Sequence, residues 1–95
     1  MPIYIVVPLT PGMEKLNAQI EKHVDANDRF KLQADRGWLV KYPGTTTELS
    51  KFIEVTGHAP GTPSNVGPTI IVPVTGYYGV GPTDMWEWLK IRIEQ

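Results

Sequence analysis

The chain has 95 residues, 41% of them hydrophobic and 20% charged, with nine basic side chains against ten acidic ones and no cysteine. That length is one domain spanning 1–95. The absent thiols exclude disulfides and thiolate zinc sites and fit a reducing, cytoplasmic setting. A net charge of −1 with interleaved signs lacks the basic excess of a protein that grips nucleic acid through its phosphates.

Ile3-Tyr4-Ile5-Val6-Val7, between Pro2 and Pro8, is a β-branched and aromatic run, apolar on both faces. It predicts a central strand, and it is too short to cross a bilayer. The start, Met1-Pro2-Ile3-Tyr4, carries no basic leader, so no signal peptide is expected. Thr10-Pro11-Gly12 opens a helix, with Thr10 as cap and Pro11 at its first turn. Met13, Leu16, Ile20 and Val24 recur at helical spacing along it.

After the polar turn 25–28, Phe30-Lys31-Leu32-Gln33-Ala34 alternates as a half-exposed edge strand. Asp35-Arg36-Gly37 predicts a tight turn with Gly37 at positive φ, and Trp38-Leu39-Val40-Lys41-Tyr42 returns as the hairpin partner. Trp38, Val40 and Tyr42 share one face. Thr45 with Glu48 three residues on is a capping box, and Leu49, Phe52 and Ile53 form the buried stripe of a short helix. Residues 57–67 read as a long surface loop. Thr69 to Thr75 is a fourth two-faced strand, which Pro73 pushes to the sheet edge. After the glycine-rich corner 76–82, Thr83 caps a final helix, Asp84 to Glu94. Met85, Trp86, Trp88, Leu89, Ile91 and Ile93 cover most of its girth.

Strand, helix, strand, strand, helix, strand is the order of a ferredoxin-like βαββαβ two-layer sandwich, here α+β with an extra C-terminal helix. Two helices cover one face of a four-stranded sheet, yet the first and fourth strands are apolar on both. The second face needs either the chain's own third helix or a second copy. A few hundred Å² of apolar surface, at ~25 cal/mol per Å², is several kcal/mol, a large share of the total stability of such a domain. The expectation favours a homodimer with the third helix at or near the interface.

Catalytic signatures are weak. Gly79-Val80-Gly81 lies between a strand and a helix and invites a phosphate, but Pro82 removes an N–H and Asp84 brings a negative charge. Tyr77, Tyr78 and Trp86 flank this corner and are able to stack on a ligand. Tyr77, Tyr78, Gly79, Gly81 and Trp86 are therefore the expected ligand-binding residues. His23 and His58 have no ligand partners at metal spacing. Asp25, Asp28 and Asp35 flank the second strand and offer carboxylates to Mg²⁺, although turns are acidic by default. Ser50 and Ser64 have no placed base. No catalytic residue, metal ligand or cofactor is expected.

The segment order, the Trp38-Leu39-Val40 strand after a Gly turn and the helix opened by Thr45-Thr46-Thr47-Glu48 resemble the small ferredoxin-fold proteins grouped with SinR and the CRISPR adaptation nuclease subunit. The resemblance covers roughly residues 3 to 75. It implies a homodimer packed through sheet faces and, in the nuclease members, a metal-binding aspartate at the end of the first strand. Pro8 stands at that position, with Thr10 just after it, and neither replaces a carboxylate on Mg²⁺. The expected function is a non-enzymatic binding or regulatory module for a small ligand or partner protein. The alternatives are a metal-dependent nuclease or phosphodiesterase using Asp28 or Asp35, and nucleic-acid binding without cleavage through Arg29, Lys31, Arg36 and Lys41.

Overall fold

The first strand is the seam on which the molecule is built. In the computed structural model, which describes residues 2–10, 14–33, 36–57, 61–75, 81 and 83–93, β1 (Ile3–Pro8) lies inside a four-stranded sheet. The other strands are β2 (Arg29–Lys31), β3 (Trp38–Lys41) and β4 (Thr69–Pro73), in the order β2-β3-β1-β4 with every neighbour antiparallel. Helix α1 (Glu14–His23) follows β1, α2 (Thr46–Phe52) follows β3 and α3 (Thr83–Ile93) follows β4; a 3₁₀ turn, Ala26–Asp28, leads into β2. Among the described residues the chain is thus α+β, with one antiparallel sheet and three α-helices.

The two-faced pattern of β1 is used as the residues demand. Tyr4 and Val6 join Trp38 and Val40 on one face, under Leu16, Ile20 and Val24 from the first helical segment and Leu49 and Ile53 from the second. The Tyr4 hydroxyl, at the edge of this core, donates to the Gly44 carbonyl at 2.6 Å, and the Trp38 indole N–H donates to Asn17 Oδ1 at 2.7 Å. Ile3 and Leu39 point the other way and are buried with Trp88 and Leu89 of α3, with Ile5, Phe30, Leu32 and Val74 packed alongside.

So the chain's own third helix lies on the second face. This is the alternative to a second copy, and it removes the main physical argument for a homodimer. Coverage is incomplete, because Ile70 and Val72 of β4 are 47% and 44% exposed. Helix α3 is tied at its far end by Arg92, whose guanidinium donates to the Asn27 carbonyl and lies 4.3 Å from the Trp88 ring. Ile91, expected to be covered, is 56% exposed.

Pro73 sits where its missing N–H costs nothing. The Val74 N–H donates to Ile3 and the Leu9 N–H to Pro68, so alternate residues of β4 bond to β1, and Pro73, opposite Tyr4, turns its backbone to the free edge. Strand β2 is shorter than expected, and Ala34 and Asp35 lie outside the described residues. The described part of the 57–67 loop is tied down: Asn65 Nδ2 donates to Glu54 Oε1 at 2.8 Å, and Val66 packs on the core.

The second helix departs from its expected stripe. Leu49 and Ile53 are buried, but Phe52 is 38% exposed. The helix ends at Phe52, and Ile53, as its C-cap, takes the core position, so Phe52 is turned out against Tyr42 and His23.

The capping box forms as expected. The Thr45 N–H donates to Glu48 Oε1 at 3.0 Å and the Glu48 N–H to Thr45 Oγ1 at 3.1 Å. The Thr45 N–H, aided by its hydroxyl, holds the Glu48 carboxyl below its ordinary value of 4.5. A carboxyl depressed in the folded state contributes stability that is complete above the ordinary value and is lost as pH falls through the depressed one. In urea titrations across that acidic window, Glu48→Gln is expected to flatten part of the pH dependence; an unchanged profile would show that the box has no part in it.

Candidate functional site

Between α3 and the β1–β4 side of the sheet the side chains do not meet. They leave a groove of about 440 Å³, within the range of small-molecule sites. Its floor is Ile5 and Leu39 of the two central strands, with Leu89 above them. One wall is Val72 and Val74, and the other is Met85 and Trp86. Period-2 alternation puts Val72 and Val74 on the same side of the chain, while Ile71 goes to the opposite core. One helical turn separates Met85 from Leu89, which brings both over the sheet.

The groove has no ionisable side chain among its described lining residues, and Thr75 supplies the hydroxyl. A charged group entering it would lose hydration without gaining a counter-charge. The phosphate reading of the corner also weakens at the helix start, because the Met85 N–H is donated to Asp84 Oδ1 at 3.0 Å. That carboxylate occupies the end of the helix an anion would use.

Of the five expected ligand-binding residues, two are brought together here. Trp86 forms a groove wall. Gly81 lies close to it: a Cβ added there would sit 2.7 Å from Met85 Cε, at the flexible end of that side chain, and 3.4 Å from the Trp86 ring, an ordinary packing distance. Tyr77, Tyr78 and Gly79 lie outside the described residues. Sequence reasoning missed Ile5, Leu39, Val72, Met85 and Leu89. The alternation of β4 and the i, i+4 pair in α3 carried the signal, but only in combination.

The other candidates are dispersed. Among the described residues, no three His, Asp or Glu side chains converge on a point that would hold a metal. Asp35 and His58 lie outside the described residues. His23 Nε2 is 3.7 Å from Glu54 Oε2. The Ser50 hydroxyl donates to Thr56 Oγ1, and Ser64 accepts the Gly67 N–H. Arg29 is spent on the carbonyls of Val24 and Glu21, and Lys31 lies 6.0 Å from the Trp38 ring centre. The Trp88 indole N–H is buried with no acceptor among the described residues.

No protein-family model, curated protein or solved structure matches the chain.

Proposed function

We propose that the chain is a non-enzymatic binding module of ferredoxin-like fold that takes a small, uncharged, largely apolar ligand in the groove beneath α3. The observation that carries this reading is the groove itself: ligand-sized, apolar on its floor and both walls, and open beside an indole. The strand order β2-β3-β1-β4, with every neighbour antiparallel and helices after β1 and β3 on one face, supports the ferredoxin-like assignment. A non-catalytic role is supported at Pro8, which ends β1 opposite Thr69. The nuclease members of the resembled family have a metal-binding aspartate at that strand end, and proline has no carboxylate.

A cytoplasmic setting belongs to the same proposal, supported by the lack of cysteine.

The test uses a neutral fluorophore, N-phenyl-1-naphthylamine. Saturable binding to the folded chain is expected, with quenching of tryptophan emission. Replacing an aromatic wall residue removes contact area and stacking, worth ~1.4 kcal/mol, so Trp86→Ala should weaken binding about tenfold. Leu9→Ala, an exposed residue that does not line the groove, should leave it unchanged. Equal affinity in wild type and Trp86→Ala, with both folded by circular dichroism, would discard the groove as the site.

A further inference from the structure

We infer that a second site, independent of the groove, binds a small organic cation in a cleft of about 220 Å³ at the end of the α1–α2 layer. The starting observation is Phe52. A phenylalanine closing a helix would be expected to bury its ring, yet this one is 38% exposed and forms a wall of the cleft. Its ring centre lies 5.2 Å from Tyr42 and 5.4 Å from His23, tilted by 31° and 50°. Three rings, from the end of α2, the residue just after β3 and the end of α1, therefore stand in file along one concave surface. Ring faces carry negative charge density and attract a cation brought over them, more strongly as water is excluded.

The polar lining points the same way. Asp25 and Asp28 enter the cleft and Lys41 is the ammonium among them, so the lining holds two carboxylates against one cation. Lys41 already has an interaction of its own. Arg29 is held by the Val24 carbonyl at 2.5 Å and the Glu21 carbonyl at 3.1 Å. A third carboxylate stands behind the wall. Glu54 lies 3.7 Å from His23 while its other oxygen accepts Asn65 Nδ2, which holds the imidazole in place.

An anionic ligand would meet net negative charge. A bare divalent ion would find phenyl and phenol faces where it needs oxygen ligands. What remains is a cation that wears its own apolar surface: a methylated ammonium, or a guanidinium on a short stem. Its body lies on Phe52 and Tyr42, and its charge lies beside Asp25 and Asp28.

Tetramethylammonium chloride titrated into the full chain, followed by two-dimensional NMR against sodium chloride at equal ionic strength, tests this. Saturable shifts are expected at His23, Tyr42 and Phe52 with the organic salt alone. Phe52→Leu should weaken binding about fivefold, the worth of ~1 kcal/mol of cation–π attraction. Where Phe52→Leu fails to fold, the pair Asp25→Asn and Asp28→Asn, made on side chains outside the core, carries the test and should weaken binding by a similar factor. Trp86→Ala should leave it unchanged, which separates this site from the groove. Equal shifts with sodium, or unaltered affinity in both the ring and the carboxylate variants, would overturn the inference.

Discussion

Gly37→Ala is expected to cost about 3 kcal/mol or more, which for a 95-residue domain is a large share of a total on the order of 5–14 kcal/mol. Gly37 adopts a φ of 142°, and a Cβ built on it would lie 2.3 Å from the Val6 carbonyl oxygen. Backbone in that region costs a non-glycine residue ~1–3 kcal/mol before any contact is counted. The contact adds to this, because the atom in the way is main chain in the central strand. The Gly37 carbonyl also accepts the Leu32 N–H at 2.9 Å, so the chain cannot back away freely. Relief would have to come from the register that sets Val6 opposite Trp38, and Trp38 is buried. Gly61→Ala is the control. Its φ is 81°, and an added Cβ would meet nothing within 4 Å. It bears conformational strain alone, about 1 kcal/mol. Urea unfolding of the three proteins measures the difference. Equal losses at positions 37 and 61 would mean that β3 does not enter the sheet across the Val6 carbonyl.

Gly37 also shows what kind of information was legible in the chain. A Gly after Asp-Arg, ahead of an apolar run, asks for positive φ by a local rule, and the structure obeys it. The Thr45–Glu48 box, the edge position of Pro73 and the double burial of β1 were legible for the same reason: each depends on a few adjacent residues and on hydrogen-bond groups the backbone must satisfy. The fate of Phe52 was not legible. Leu49, Phe52 and Ile53 have ideal spacing for one buried face, but the spacing does not say that the helix stops at Phe52 and hands the core position to Ile53.

The groove was hidden for a different reason. It is a gap between Val72 and Trp86, and a gap is a property of how two elements sit, not of either one. Composition stated that the second sheet face needed cover. It could not say whose side chains would provide it, because the transfer of apolar surface from water is nearly indifferent to the chain that supplies the partner. Trp86 and Gly81 were reached through their nearness to a glycine-rich corner, and the packing of Gly81 on the Trp86 ring explains why the two belong together.

The same indifference makes Leu89→Ala decisive for the architecture. Leu89 is 3% exposed and is packed with Ile3, Leu39 and Trp88 beneath α3. Removing a buried leucine side chain costs ~2–5 kcal/mol, the spread depending on how far the surroundings collapse into the space. Collapse is limited here, since the position already borders an open groove, and a loss of about 3 kcal/mol is expected. Leu49→Ala, fully buried on the opposite face, should cost a comparable amount. Helix and sheet belong to one chain, so the unfolding midpoint of Leu89→Ala should not move on dilution. A second copy lying over that face would instead make the midpoint depend on protein concentration. The two variants together separate the cases. A loss near 0.5 kcal/mol for Leu89→Ala, the size of a surface substitution, beside a full loss for Leu49→Ala would mean that α3 is not seated on the sheet. The groove, and the ligand proposed for it, would go with it. Full losses at both positions with a fixed midpoint leave α3 as the cover of its own sheet.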